Sequence, residues 1–149
     1  MLLLAVLTAA CGGNPNAPSQ NNAHYAGTWT GSYTITGCNQ TGGIALANIC
    51  GNLGASAPFT FTLSQSNTSV TGSFLLGTIS FPSTGGTIGA DGSLSLQATT
   101  VSNGITIVVT WHLNVSGSTL TGTVTQIWTS DTLSGQVNVT GTITSAVKS

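Results

Sequence analysis

From Ala26 onward, apolar and polar residues alternate with a period of two. Gly27, Trp29, Gly31, Tyr33 and Ile35 share one register; Thr28, Thr30, Ser32, Thr34 and Thr36 share the other. Phe59, Phe61 and Leu63 alternate with Thr60, Thr62 and Ser64. Ile105, Ile107, Val109, Trp111, Leu113 and Val115 form the longest row, and Leu133, Gly135, Val137, Val139, Gly141 and Ile143 the last. Such alternation describes strands with one buried and one wet face. Thr suits the wet face because it is β-branched yet polar. No helical spacing interrupts these rows.

Turn residues divide the rows. Ser66-Asn67-Thr68-Ser69, Ala90-Asp91-Gly92, Ser102-Asn103-Gly104 and Ser116-Gly117-Ser118 read as short hairpin connections. The pattern predicts about eight strands, at 26–36, 58–65, 70–76, 78–88, 93–100, 105–115, 119–129 and 133–144. Short turns between neighbours make an antiparallel meander. A motif recurs in it: Val70-Thr-Gly72-Ser-Phe74, Leu120-Thr-Gly122-Thr-Val124, Leu133-Ser-Gly135-Gln-Val137 and Val139-Thr-Gly141-Thr-Ile143. Each places Gly in the apolar register, where a strand must coil or another chain approaches. Closure also removes unpaired edges. The expectation is an all-β, antiparallel up-and-down barrel of about eight strands, with a β-sandwich as the alternative.

Composition narrows the function. Of 149 residues, 2% are charged: Asp91, Asp131 and Lys148. The polar surface comes instead from 26 Thr and 18 Ser. One cation cannot neutralise a run of phosphates, which excludes nucleic acid, and there is no polybasic patch for a membrane surface. Acid–base catalysis lacks its groups, so no enzyme is expected. A Ser130, His112 and Asp131 set can be written down, but it lacks a strained nucleophile motif. His112 alternates with Trp111 and so points outward.

The first residues resemble the export signal and lipobox of bacterial lipoproteins. An apolar run, Met1–Ala10, ends in Leu7-Thr8-Ala9-Ala10-Cys11, and a Gly/Pro/Asn/Ser-rich stretch follows. The run is short of the roughly 20 residues that span a bilayer. It has no basic n-region, so the start codon is expected upstream. The resemblance implies a signal peptide over 1–10, acylation of Cys11 and a tether over 11–24. That tether would reach about 20 Å as a flexible coil. A barrel domain over 25–149 follows. Gly12 after the Cys implies sorting to the outer membrane. If Cys11 carries lipid, Cys38 and Cys50 remain as a pair, which an oxidising compartment would close. A metal site is the rival reading. It lacks ligands, because His24 and His112 show no zinc-like spacing with the two Cys.

Gly27-Thr28-Trp29 on the first strand resembles the G-x-W signature of lipocalins and the G-T-W opening of avidin-type barrels. The resemblance implies a barrel that holds a small molecule. Lipocalins cover the first-strand Trp with a late Arg, and this chain has no Arg. The apolar register supplies candidate ligand contacts: Trp29, Tyr33, Trp111 and Trp128 as lining, and Gln126 as the group that orients a ligand. A buried amide without a partner costs about 1–3 kcal/mol, so Gln126 requires a partner, a water or a ligand. These aromatics could equally be the filled core. The expectation is a lipid-anchored envelope protein that binds a small apolar or aromatic ligand without cofactor or metal. The alternative is a structural or adhesion module with a filled interior.

Overall fold

In the computed structural model, which describes residues 23–44 and 49–149, the meander closes. Eight antiparallel strands run in chain order around the wall: β1 (Gly27–Gln40), β2 (Ser56–Ser66), β3 (Ser69–Leu76), β4 (Ile79–Ile88), β5 (Leu94–Ser102), β6 (Ile105–Ser116), β7 (Thr119–Ser130) and β8 (Gln136–Lys148). The last strand pairs back onto the first, with Tyr33 opposite Ile143 and Cys38 opposite Val139. A closed, singly wound wall excludes the sandwich.

The alternation decides which face is which. Trp29, Tyr33, Phe59, Phe61, Phe74, Phe81, Trp111 and Val124 point inward and are buried. Outward, hydroxyl residues meet across the strands: Thr30 faces Thr60, Thr34 faces Thr142, and Thr125 lies between Thr110 and Thr140. A membrane-spanning barrel carries an apolar outer band; this wall is built the other way round. Among the described residues, no helix is long and apolar enough to cross a membrane.

The two ends of the barrel differ. The N-terminal end carries the chain's approach to β1 and the β2–β3, β4–β5 and β6–β7 turns. The opposite end carries the β3–β4, β5–β6 and β7–β8 turns and the long β1–β2 connection. That connection includes a one-turn 3-10 helix, Ile49–Asn52, and the Cys38–Cys50 disulfide, with Cα atoms 5.4 Å apart. Asn103 and Gly104 both have positive φ, as a two-residue hairpin turn of the mirror-image type I requires.

Four expectations need correction. The last strand begins at Gln136, not at residue 133, so Leu133 is 41% exposed in the preceding loop. Gly135 therefore does not belong to the inward glycine series; it lies where the β7–β8 loop crosses the β1–β2 connection, and a side chain there would strike the Thr41 carbonyl. At the other end of the strand, β8 continues to Lys148, beyond its apolar row, by shifting register between Ile143 and Ala146. β1 likewise extends to Gln40, through the register shift at Gly37.

Gly122 shows what the recurring motif is for. Its φ is 156°, and an added Cβ would collide with the carbonyl of His112 on β6. The inward glycine brings two strand backbones closer than any side chain permits. We expect Gly122→Ala to lower stability by at least about 1–3 kcal/mol, read from denaturant unfolding. Replacing Cys38 and Cys50 together by Ala should remove about 3 kcal/mol, because the bond closes a short loop in the unfolded chain.

Candidate ligand-binding site

The N-terminal end is plugged. Tyr25 is fully buried, and all its polar groups are engaged. Its N–H donates to Gln65 Oε1 (2.7 Å), and its carbonyl accepts from Trp29 Nε1 (2.7 Å). Its hydroxyl shares one proton between the carbonyls of Gly92 (2.8 Å) and Leu113 (2.9 Å). Over the Trp29 indole lies the Lys148 ammonium, 5.4 Å from the ring centroid. A cation at this distance from a ring face is attracted by the ring quadrupole. Gly27 gives the lysine stem its path: a Cβ at residue 27 would lie 2.5 Å from Lys148 Cε. The chain's single basic side chain thus stands over the first-strand Trp.

Outside this plug lies an open cleft of about 460 Å³ bordered by His24, Asp91 and Asn114. The Asp91 carboxylate is already engaged, accepting from Ser93 N–H (3.0 Å) and Ser93 Oγ (2.7 Å). These bonds hold its carboxyl below the usual carboxylate range, and they make it the turn former that Ala90-Asp91-Gly92 suggests.

The centre is a cluster of rings. Trp111 is fully buried and meets Tyr33, Phe59, Phe61 and Phe74, with centroids 5.0–6.1 Å away. Phe74 stacks on Phe81 at 4.3 Å. Such offset and edge-to-face contacts add to the stabilisation from burial alone. The Trp111 Nε1 atom is the one buried side-chain polar atom without a hydrogen-bond partner among the described residues.

Toward the disulfide end the interior becomes polar, then half-open. Gln126, 2% exposed, donates from Nε2 to Tyr33 Oη (3.1 Å) and accepts at Oε1 from Trp128 Nε1 (3.0 Å). Above this chain, the inward-pointing Ile35, Ala57, Ile79, Ile105 and Trp128 are only partly buried. Ile44, from the β1–β2 connection, covers one side of the mouth, against Val137, Val139 and Trp128. Ala57 and Ile79, on β2 and β4, lie outside that cluster. At this end partly buried apolar residues lie above a polar chain on β1 and β7 and the aromatic cluster beneath it.

Tyr33, Trp111, Gln126 and Trp128 therefore come together. Trp29 does not join them; it belongs to the plug at the other end. The amide of Gln126 finds its partners within the protein. Tyr25, its own partner Gln65 and the lid residue Ile44 were not singled out by the periodicity. Tyr25 precedes the first row, and Ile44 sits among Gly and small residues with no period. The hydrolase triad is not assembled. His112 is exposed on the outer face opposite Thr123, whereas Ser130 pairs with Ile105, about 23 Å further along β6. Asp131 lies exposed in the β7–β8 turn. Among the described residues, no group of three His, Cys, Asp or Glu could hold a metal ion.

No protein-family model matches the chain, and no curated protein matches it.

Burial pushes the phenol groups of Tyr25 and Tyr33 above their ordinary range near 10. The fold therefore favours the protonated phenol. That stability is fully present below the unfolded-state value and is lost as pH rises through the folded one. At low pH, Asp91 contributes in the opposite sense: its stabilisation is present above the unfolded carboxylate value and lost as pH falls through the folded one. The melting temperature should be level from about pH 5 to pH 9 and fall above about pH 10. A thermal-melt series across that range checks this, and Tyr33→Phe should blunt the alkaline fall.

Proposed function

We propose that this chain is a non-enzymatic, lipid-anchored protein of the bacterial cell envelope that binds a small apolar or aromatic ligand at the disulfide end of its barrel. The observation that carries the reading is the asymmetry of the two ends. One is sealed by Tyr25, Trp29 and Lys148; the other leaves an apolar rim only partly buried above Tyr33 and Gln126. An apolar recess with a few fixed polar groups is the usual form of a small-molecule site, and mouths of small barrels are a common place for one. Within it, Trp128 and Tyr33 offer ring faces and Gln126 fixes their orientation. Trp111 forms the floor, and Trp29 closes the far end.

The anchoring part rests on the Leu7-Thr8-Ala9-Ala10-Cys11 pattern, which lies outside the described residues. The Cys38–Cys50 disulfide agrees with an exported chain. The described chain starts at the plugged end, at Ala23. An anchor at Cys11 would therefore tether that end, with the cup facing away from the lipid and the outer membrane as the expected site.

A second reading is favoured by one observation. The centre of the barrel is occupied by packed rings, and Gln126 has both its partners inside the protein. That suits a structural or adhesion module without a ligand.

The uncharged dye N-phenyl-1-naphthylamine separates the two. On the binding reading its fluorescence rises saturably with added protein, and Trp128→Ala weakens the affinity about tenfold, equivalent to about 1.4 kcal/mol. Absence of saturable binding leaves the structural module. Anchoring is checked by fractionating cells that express Cys11→Ala with a complete signal: the variant should leave the membrane fraction. Retention there with the signal processed refutes acylation at Cys11.

A further inference from the structure

The hydrogen bonds around Gln126 are unbalanced. An indole N–H only donates, so the Gln126 atom facing Trp128 Nε1 at 3.0 Å must be the carbonyl Oε1. That fixes the amide orientation. Its Nε2 then faces Tyr33 Oη at 3.1 Å and donates to it. Tyr33 is therefore an acceptor in this contact, and its own hydroxyl proton points elsewhere. No hydrogen bond from that proton to any described residue is present. Beside it, with ring centroids 6.1 Å apart and planes at 89°, is Trp111, whose Nε1–H is also without a partner. Tyr33, Trp111 and Gln126 are 5%, 0% and 2% exposed, so little of their surface meets bulk water. Burial also pushes the Tyr33 phenol up, which keeps the donor protonated.

Two buried donors on adjacent rings thus lack acceptors among the described residues, while Gln126 Oε1 and Tyr33 Oη have each already accepted one hydrogen bond. Each buried donor left unmade costs about 1–3 kcal/mol. The faces of Phe59, Phe61 and Phe74 around the indole can accept its N–H weakly, which lowers the cost of waiting and leaves the donor free for a stronger acceptor. A water molecule would bring two protons of its own, for which this wall offers only the second lone pairs of Gln126 Oε1 and Tyr33 Oη. A carboxylate would be buried without a counter-charge, since the chain's single basic side chain is at the opposite end.

We infer that the cup selects an uncharged ligand with an acceptor oxygen and no donor at its leading edge, a ketone, quinone, ester or lactone on an apolar or aromatic body, with Tyr33 Oη–H and Trp111 Nε1–H meeting that oxygen. This rests on the ligand-binding reading above and adds the chemistry of the ligand. Ring-bearing carbonyl compounds fit both the aromatic floor and the donor pair.

The test uses two probes of nearly the same shape, 2-acetylnaphthalene and 2-ethylnaphthalene, with the disulfide-bonded domain. The acetyl compound should bind about tenfold tighter. It should also move the Trp111 indole N–H resonance downfield, whereas the ethyl compound should not. Tyr33→Phe, which removes the hydroxyl and keeps the ring, should narrow the affinity ratio about threefold or more. The resonance shift in the unaltered protein is independent of whether that variant folds. Equal affinities, with binding of both and no selective shift, overturn the donor assignment and leave the cup as an apolar site. Binding of neither probe overturns the cup itself.

Discussion

The pairing of β1 with β8 turns a meander into a closed wall, and the rest of the structure takes its geometry from that seam. An open sheet of this sequence would present long edges with almost no charge to deter pairing with another copy. Closing it pairs those edges but confines the apolar register to a narrow interior. That interior must hold three indoles and several phenyl rings, and it does so because the wall yields. At Gly141 a Cβ would lie 2.7 Å from the Tyr33 ring, and at Gly31 it would strike Ala146. The seam and the ring cluster are two parts of one solution.

That solution distributes polarity unevenly along the axis. At the N-terminal end, every polar group drawn inward by Tyr25 and Trp29 finds a backbone or amide partner. Toward the disulfide end, the chain Tyr33–Gln126–Trp128 leaves donors in excess. A core optimised only for stability would favour an apolar residue at position 126, because a polar chain that is incompletely matched costs more than a hydrocarbon of the same shape. In the ligand-binding reading the polar residues there serve a ligand, and the end where they occur is the one with a partly buried apolar rim.

Much of the fold is legible in the sequence, because period-two alternation and turn residues report directly on which face of each strand is wet. The barrel class, the eight strands, the inward set of aromatics and the outward His112 all follow from that signal. What it misses lies where periodicity ends. Tyr25 acts through hydrogen bonds across 67 and 88 residues of sequence, which no local pattern encodes. Leu133 has the right type and spacing for the last row yet lies in a loop, since pairing with β1 and β7 determines where β8 starts. Lys148 looks like an unremarkable terminal residue, and its place over Trp29 depends on a register shift in β8. Tyr33, Trp111 and Gln126 were legible as inward side chains; the direction in which the Gln126 amide points was not.

The position of Lys148 bears on how this barrel meets proteases. Proteases that cut after basic residues have a single bond to attack in the whole chain, Lys148–Ser149. That bond is not free: the Ser149 N–H donates to the Thr28 carbonyl at 3.0 Å, while the lysine head lies over an indole rather than extending into solvent. Even fully unfolded, the barrel would pass such an enzyme as one piece. Resistance to trypsin-like digestion is thus written into composition first and protected by the fold second.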